Sequence, residues 1–97
     1  MTTFAIEYQY NPTSEKILEH RPKHREFLAN LLKEGKLLAS GPITEPAGSS
    51  LIIIRLAEGA TIADAEAEME KDPFHQEGAL DARTFQVWDP VLNVFQD

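Results

Sequence analysis

The sequence predicts an α+β domain with the element order β-α-β-β-α-β, and three observations carry that prediction. An alternating apolar strand opens the chain, two amphipathic helical stretches are bounded by Gly and Pro signals, and apolar runs with strand character fill the spaces around them. With 97 residues the chain fits one domain, residues 1–97. Hydrophobic residues make up 42% and charged residues 26%, the balance of a globular core rather than of disorder.

Phe4, Ile6, Tyr8 and Tyr10 alternate with Ala5, Glu7 and Gln9, the period of a strand with one buried face, and Asn11-Pro12 ends it. Asn11 as cap and Pro12 at a first helical position predict a short helical turn over residues 14–19. Pro22 disfavours helical backbone at Arg21, so the main helix is expected to restart at Pro22. Its inward stripe is Phe27, Leu28, Leu31 and Leu32, and Gly35 stops it with Lys33 and Lys36 at the negative end of the dipole. Residues 36–40 read as a second strand closed by Gly41-Pro42, and residues 44–48 as a polar loop. Residues 51–54, extending to Leu56, form a third strand whose unbroken apolar run implies burial on both faces. Thr61 and Asp64 form a capping box for a second helix, with Ile62, Ala65 and Met69 facing inward and Asp72-Pro73 closing it. Residues 84–88 follow the Gly78 turn as a fourth strand. Asp89-Pro90 then separates it from an apolar tail of Val91, Leu92, Val94 and Phe95.

This order is the ferredoxin-like arrangement, an antiparallel four-stranded sheet with two helices on one face. Right-handed crossovers and a short central connection make the helices antiparallel, which places the start of the first beside the close of the second. The other sheet face, with the run at 51–54, Trp88 and the apolar tail, needs a cover. A second copy supplies it, so a homodimeric α+β barrel is expected.

The formal net charge of −7 argues against a phosphate-backbone partner, and Asp64, Glu66, Glu68 and Glu70 read as a solvated helix face. No apolar run approaches the roughly 20 residues of a membrane span. The first residues lack the pattern of a secretory signal, and cysteine is absent, so the expected setting is cytoplasmic.

His24 lies on the face of Phe27 and Leu28, and Asp72 follows Met69 by three positions. The topology brings these two helix ends together. A carboxylate accepting from one imidazole nitrogen fixes the tautomer and leaves the other as a general base. The alternative is a packed histidine and a polar helix stop joined as structure. The basic run from His20 to Arg25 sits at the expected helix start, where cations oppose the macrodipole unless an anion binds. Arg21 and Lys23 therefore read as a site for a carboxylate or enolate, or else Lys23 and Arg25 face solvent and pair with Glu19 or Glu26. Ser40 and the Gly41 backbone are candidates to line a cleft, and Tyr8 and Tyr10 to offer phenol hydroxyls. His20, His24, His75 and Glu77 lack the spacing of a metal site, and no metal is expected.

The segment Arg21-Pro22-Lys23-His24-Arg25-Glu26-Phe27-Leu28 resembles the RPxHxxxL signature of YciI-like proteins, the YCII-related domain family. The stretch from Gly35 through Leu37 to Gly41-Pro42 looks like their second-strand motif, and Asp72-Pro73-Phe74 with Gly78 like their DPF/Y…G motif. The resemblance covers nearly the whole chain, with the motifs in family order. It implies a ferredoxin-like dimeric barrel in which His24 and Asp72 match the family's His–Asp pair. Most members of the family have no established reaction, and the leading expectation here is a lyase or isomerase that abstracts a proton from a small oxygenated, anionic or aromatic-derived metabolite without cofactor. One branch of the family removes HCl from a chlorinated hydroxyquinol. The short loop at 44–48 and His75 after Phe74 depart from the bacterial type and leave the substrate open. The competing expectation is a non-catalytic dimeric domain that binds a small molecule, with the His–Asp pair as structure.

Overall fold

Alternation at the start of the chain sets the sheet. In the computed structural model, which describes residues 1–95, β1 spans Thr2–Gln9 and buries Phe4, Ile6 and Tyr8 completely, leaving Ala5 and Glu7 half-buried on the other face. The further elements are α1 (Glu15–Lys33), β2 (Leu37–Ile43), β3 (Ser49–Leu56), α2 (Ile62–Met69), α3 (Pro73–Gln76) and β4 (Ala82–Val87). The four strands run in the order β2-β3-β1-β4 with every neighbouring pair antiparallel, which is the ferredoxin-like sheet. Ser50, Ile52 and Ile54 of β3 share the inner face with the three buried β1 residues. The core closes on Ile17, Leu28 and Leu31 of α1, Ala65 and Met69 of α2, and Phe74 of α3.

Helix α1 departs from the expected break. It is one helix of 19 residues with Pro22 inside it, and its cap is Ser14 rather than Asn11, the Ser14 Oγ accepting from the Ile17 N–H at 3.2 Å. Proline lacks the N–H that the Leu18 carbonyl would accept. Both Leu18 and Pro22 lie on the exposed side, where water can serve that carbonyl. The inward stripe is shifted as well. Ile17, His24, Leu28 and Leu31 are buried, Phe27 is half-buried and Leu32 is exposed. Gly35 at φ +78° ends α1: its N–H donates to the Leu32 carbonyl at 3.1 Å, and the next N–H, of Lys36, reaches the Leu31 carbonyl at 2.9 Å. Those two bonds form the Schellman pattern, which needs a left-handed residue at that point.

β2 does not stop at Gly41-Pro42 but runs through it to Ile43. It is an edge strand, and proline's missing donor is tolerated there. On β3 the burial expected for both faces is only partly met: Ile53 is buried, whereas Leu51 is 45% exposed. The Thr61–Asp64 capping box is present, and Ala65 and Met69 are fully buried. Ile62, expected inside, is 39% exposed in the first turn. α2 ends at Met69, before Asp72-Pro73 is reached. Asp72 is extended, as a residue before proline prefers, and it caps the separate short helix α3. β4 ends at Val87, with the Trp88 N–H still bonded to the Thr3 carbonyl at 2.9 Å. Beyond it Val91, Leu92 and Val94 are exposed, and Phe95 meets Trp88 edge-on. Among the described residues no helix is long and apolar enough to cross a membrane.

The different depths of Met69 and Ile62 give a direct check of the α2 packing. Met69→Ala should cost about 2–5 kcal/mol in a urea melt, as buried large-to-small changes do. Ile62→Ala should cost less than about 1 kcal/mol. Equal losses would mean that α2 is rotated relative to the sheet.

Candidate functional site

The site grows from the Asp72-Pro73 step. Pro73 occupies the first turn of α3, where its missing N–H removes no bond, and the Asp72 Oδ1 accepts from the Phe74 N–H at 3.0 Å. Gly78 at φ +68° closes α3 with a second Schellman pair, Gly78 N–H to His75 carbonyl and Ala79 N–H to Phe74 carbonyl. One short helix, capped at both ends, thus fixes both Asp72 and Phe74. It packs against the middle of α1, where His24 stands.

His24 Nδ1 lies 2.8 Å from Asp72 Oδ2 and 3.0 Å from Oδ1. The Tyr8 hydroxyl donates to the same Oδ2 at 2.9 Å. With the Phe74 N–H, three donors meet one carboxylate that has no solvent exposure, and His24 is only 6% exposed. The imidazole lies flat on the Phe74 ring, centroids 3.9 Å apart and planes 9° from parallel. Position, tilt and tautomer are therefore constrained together: an acceptor at Nδ1 calls for a proton there and leaves Nε2 with its lone pair. Nε2 has no hydrogen bond among the described residues, and His24 borders a cleft. Burial pushes the Tyr8 phenol well above its ordinary range, the Asp72 charge and hydrogen bond add to the rise, and Arg83 partly offsets it.

The cleft has a volume of about 520 Å³, within the range usual for small-molecule sites. α1 contributes Arg21, His24, Arg25 and Leu28, and β2 contributes Ser40, Gly41 and Pro42. Ile52, Leu37 and Phe74 give it apolar walls. Among the described residues no group of three or more His, Asp or Glu side chains gathers as metal ligands do.

His24 and Asp72 therefore meet, though not as two helix ends. His24 is in the interior of α1, and Asp72 belongs to the cap of α3 rather than to the stripe of α2. The run from His20 to Arg25 is likewise inside α1, beyond the first turn where the macrodipole would draw an anion. Arg21, Ser40 and Gly41 do line the cleft. Tyr8 does not; it sits fully buried with its hydroxyl on the carboxylate. Tyr10, two positions on, borders the cleft instead, its hydroxyl 2.6 Å from Ser50 Oγ. Ser50 and the stacking role of Phe74 escaped the sequence reading. Ser50 gave a signal in its even spacing from Ile52 and Ile54, but nothing local announced a ring stacked on a residue fifty positions earlier.

Comparison with known proteins gives a family and a fold. The model of the YCII-related domain family matches residues 2–89. Among solved structures, the chain is similar to 5-chloro-2-hydroxyhydroquinone dehydrochlorinase (TftG) from Burkholderia phenoliruptrix AC1100, in its complex with 2,5-dihydroxybenzoquinone. The TM-score is 0.72 at 22% identity, over 90% of this chain and 93% of that one, a likeness of fold. No curated protein matches. With its family model matched over nearly its full length, this chain belongs to the YCII-related domain family.

Proposed function

We propose that the protein is a small enzyme, a lyase or isomerase, in which His24 acts as general base and Asp72 holds it. The observation that carries this reading is a histidine of the cleft wall engaged at Nδ1 by a fully buried carboxylate, with no hydrogen bond on Nε2 among the described residues. Nε2 would take a proton from the substrate, and Asp72 would offset the positive charge that develops on the ring. Ser40 and the Gly41 backbone, both at the cleft wall, would be the groups to polarise a substrate oxygen, and Arg21 would supply positive charge there. In a dehydrochlorinase-like version the base takes a proton, the released electron pair forms a new double bond, and chloride leaves with its bonding pair. The solved dehydrochlorinase of similar fold makes that the first reaction to try.

A second reading rests on Asp72 itself. Its carboxylate caps α3 and ties α3 to α1 and β1, which is enough to retain the pair in a non-catalytic binding domain. We also propose that the chain forms a homodimer through the open sheet face, where Leu51 is 45% and Trp88 41% exposed.

Wild type and His24→Ala should be assayed on chlorinated hydroxyquinols, muconolactones and related acids. The variant should lose about 10²–10⁴ of kcat. Turnover unaffected by the substitution would sink the base assignment.

Tyr8→Phe removes one donor from a buried carboxylate and should lower stability by about 1.5–3 kcal/mol. It should also change the alkaline limb. Below about pH 10 the phenol is neutral in both folded and unfolded chains. Above that, the unfolded chain loses the proton while the folded one keeps it, so stability falls as pH rises. Urea melts up the alkaline range should show that fall in wild type and a shallower one in Tyr8→Phe.

Sedimentation should give twice the mass of one chain for wild type and a monomer for Leu51→Glu. A monomeric wild type would remove the proposed dimer.

A further inference from the structure

Acidic side chains are numerous in this protein, 16 Asp and Glu against 9 Lys and Arg, yet among the described residues none lines the cleft beside His24. The charged groups that do line it are Arg21 and Arg25. They stand one helical turn apart on α1, at the spacing that sets side chains next to each other. Neither makes an ion pair or hydrogen bond among the described residues, although Glu19 and Glu26 are close in sequence. Glu19 lies against His20 instead, at 3.7 Å. Two guanidinium groups without a counter-charge thus border a cavity with otherwise apolar or hydroxyl walls. Leu28, Ile52 and Phe74 are among the former and Ser40 among the latter.

We infer that this cleft recognises a compact monocarboxylate, with its carboxylate held by Arg21 and Arg25 and its carbon skeleton lying on Leu28, Ile52 and Phe74. The planar fork of arginine matches a carboxylate with paired hydrogen bonds, and such bonds are stronger than neutral ones. A phosphoryl group fits less well, because among the described residues the cleft offers no lysine and no glycine-rich loop to surround three oxygens, and the Phe74 N–H at the start of α3 is already held by Asp72. That the reacting end of the ligand meets His24 Nε2 rests on the base role proposed above. The carboxylate preference does not.

Binding of 4-hydroxybenzoate and of its neutral isostere 4-hydroxybenzamide, measured by calorimetry and by shifts of the His24 ring resonances, tests the clamp. Wild type should bind the acid at least about tenfold more tightly than the amide. Arg21→Gln/Arg25→Gln should lose that preference, and Arg21→Lys/Arg25→Lys should keep part of it, with thermal melts verifying that both remain folded. His24→Gln should keep the preference whatever His24→Ala does to turnover, so the two readings fail separately. Equal binding of acid and amide, a preference that survives loss of both arginines, or no binding of the acid at millimolar concentration would each overturn the inference. Inorganic phosphate that displaces the acid at matching concentration would overturn it too, in favour of a phosphoryl site.

Discussion

A carboxylate with no solvent exposure must be answered by hydrogen-bond donors, and Asp72 is answered from three parts of the chain. Its own short helix gives the Phe74 N–H, α1 gives His24, and the central strand gives Tyr8. Desolvating a charge costs several kcal/mol, and removing one partner of a buried pair typically costs about 3–5 kcal/mol. The arrangement of α1, α3 and β1 is therefore not free to vary. Each must stay within hydrogen-bond reach of one side chain, and the cleft takes its shape from elements held in that way.

The proline and glycine positions support the same geometry. Pro73 starts α3 where a missing donor does no harm, and Gly78 stops it one turn later, so Phe74 is delivered to the face of the imidazole. Pro22 sits inside α1 on the solvent side, two residues before His24. The helix tolerates it because Leu18 and Pro22 both lie on the exposed side, where water can serve the orphaned carbonyl, whereas the same residue on the His24 face would leave that carbonyl buried without a donor. Gly41-Pro42 is accommodated for a related reason. β2 is the sheet edge, so a strand that lacks one donor still pairs along its inner side.

Strand character was legible wherever one face is buried: the alternation of Phe4, Ile6 and Tyr8 is visible in sequence and holds in space. So was the capping box, because both of its partners are three residues apart. Element boundaries next to proline were less legible. A local rule says that Pro22 breaks a helix, but the tertiary packing of Ile17 and Leu28 on one core carries the helix through it. His24 and Asp72 were legible as a pair, but the route was not. The sequence offered two long helices with meeting ends, while the contact is made by a four-residue helix too short to show any periodicity. Tyr8 and Tyr10 share a face by spacing alone. Only the position of Asp72 above Tyr8 separates a buried donor from a residue of the cleft wall.

The charge distribution bears on how an anion would arrive. A net charge of −7 repels it at long range, so the protein as a whole does not steer a carboxylate toward the site. At physiological ionic strength that repulsion is screened over roughly 8 Å. The charged side chains that line the cleft among the described residues are Arg21 and Arg25. Recognition would then be local, with the ligand's apolar part leaving water against Phe74 and Ile52 and its charge meeting the half-buried Arg21 and the exposed Arg25. The keto or enol oxygen of a neutral substrate would accept from a guanidinium without the charge pairing that a carboxylate adds. On the proposed reading, a cleft lined by no described acid in an acidic protein would select its ligand by charge before His24 could act on it.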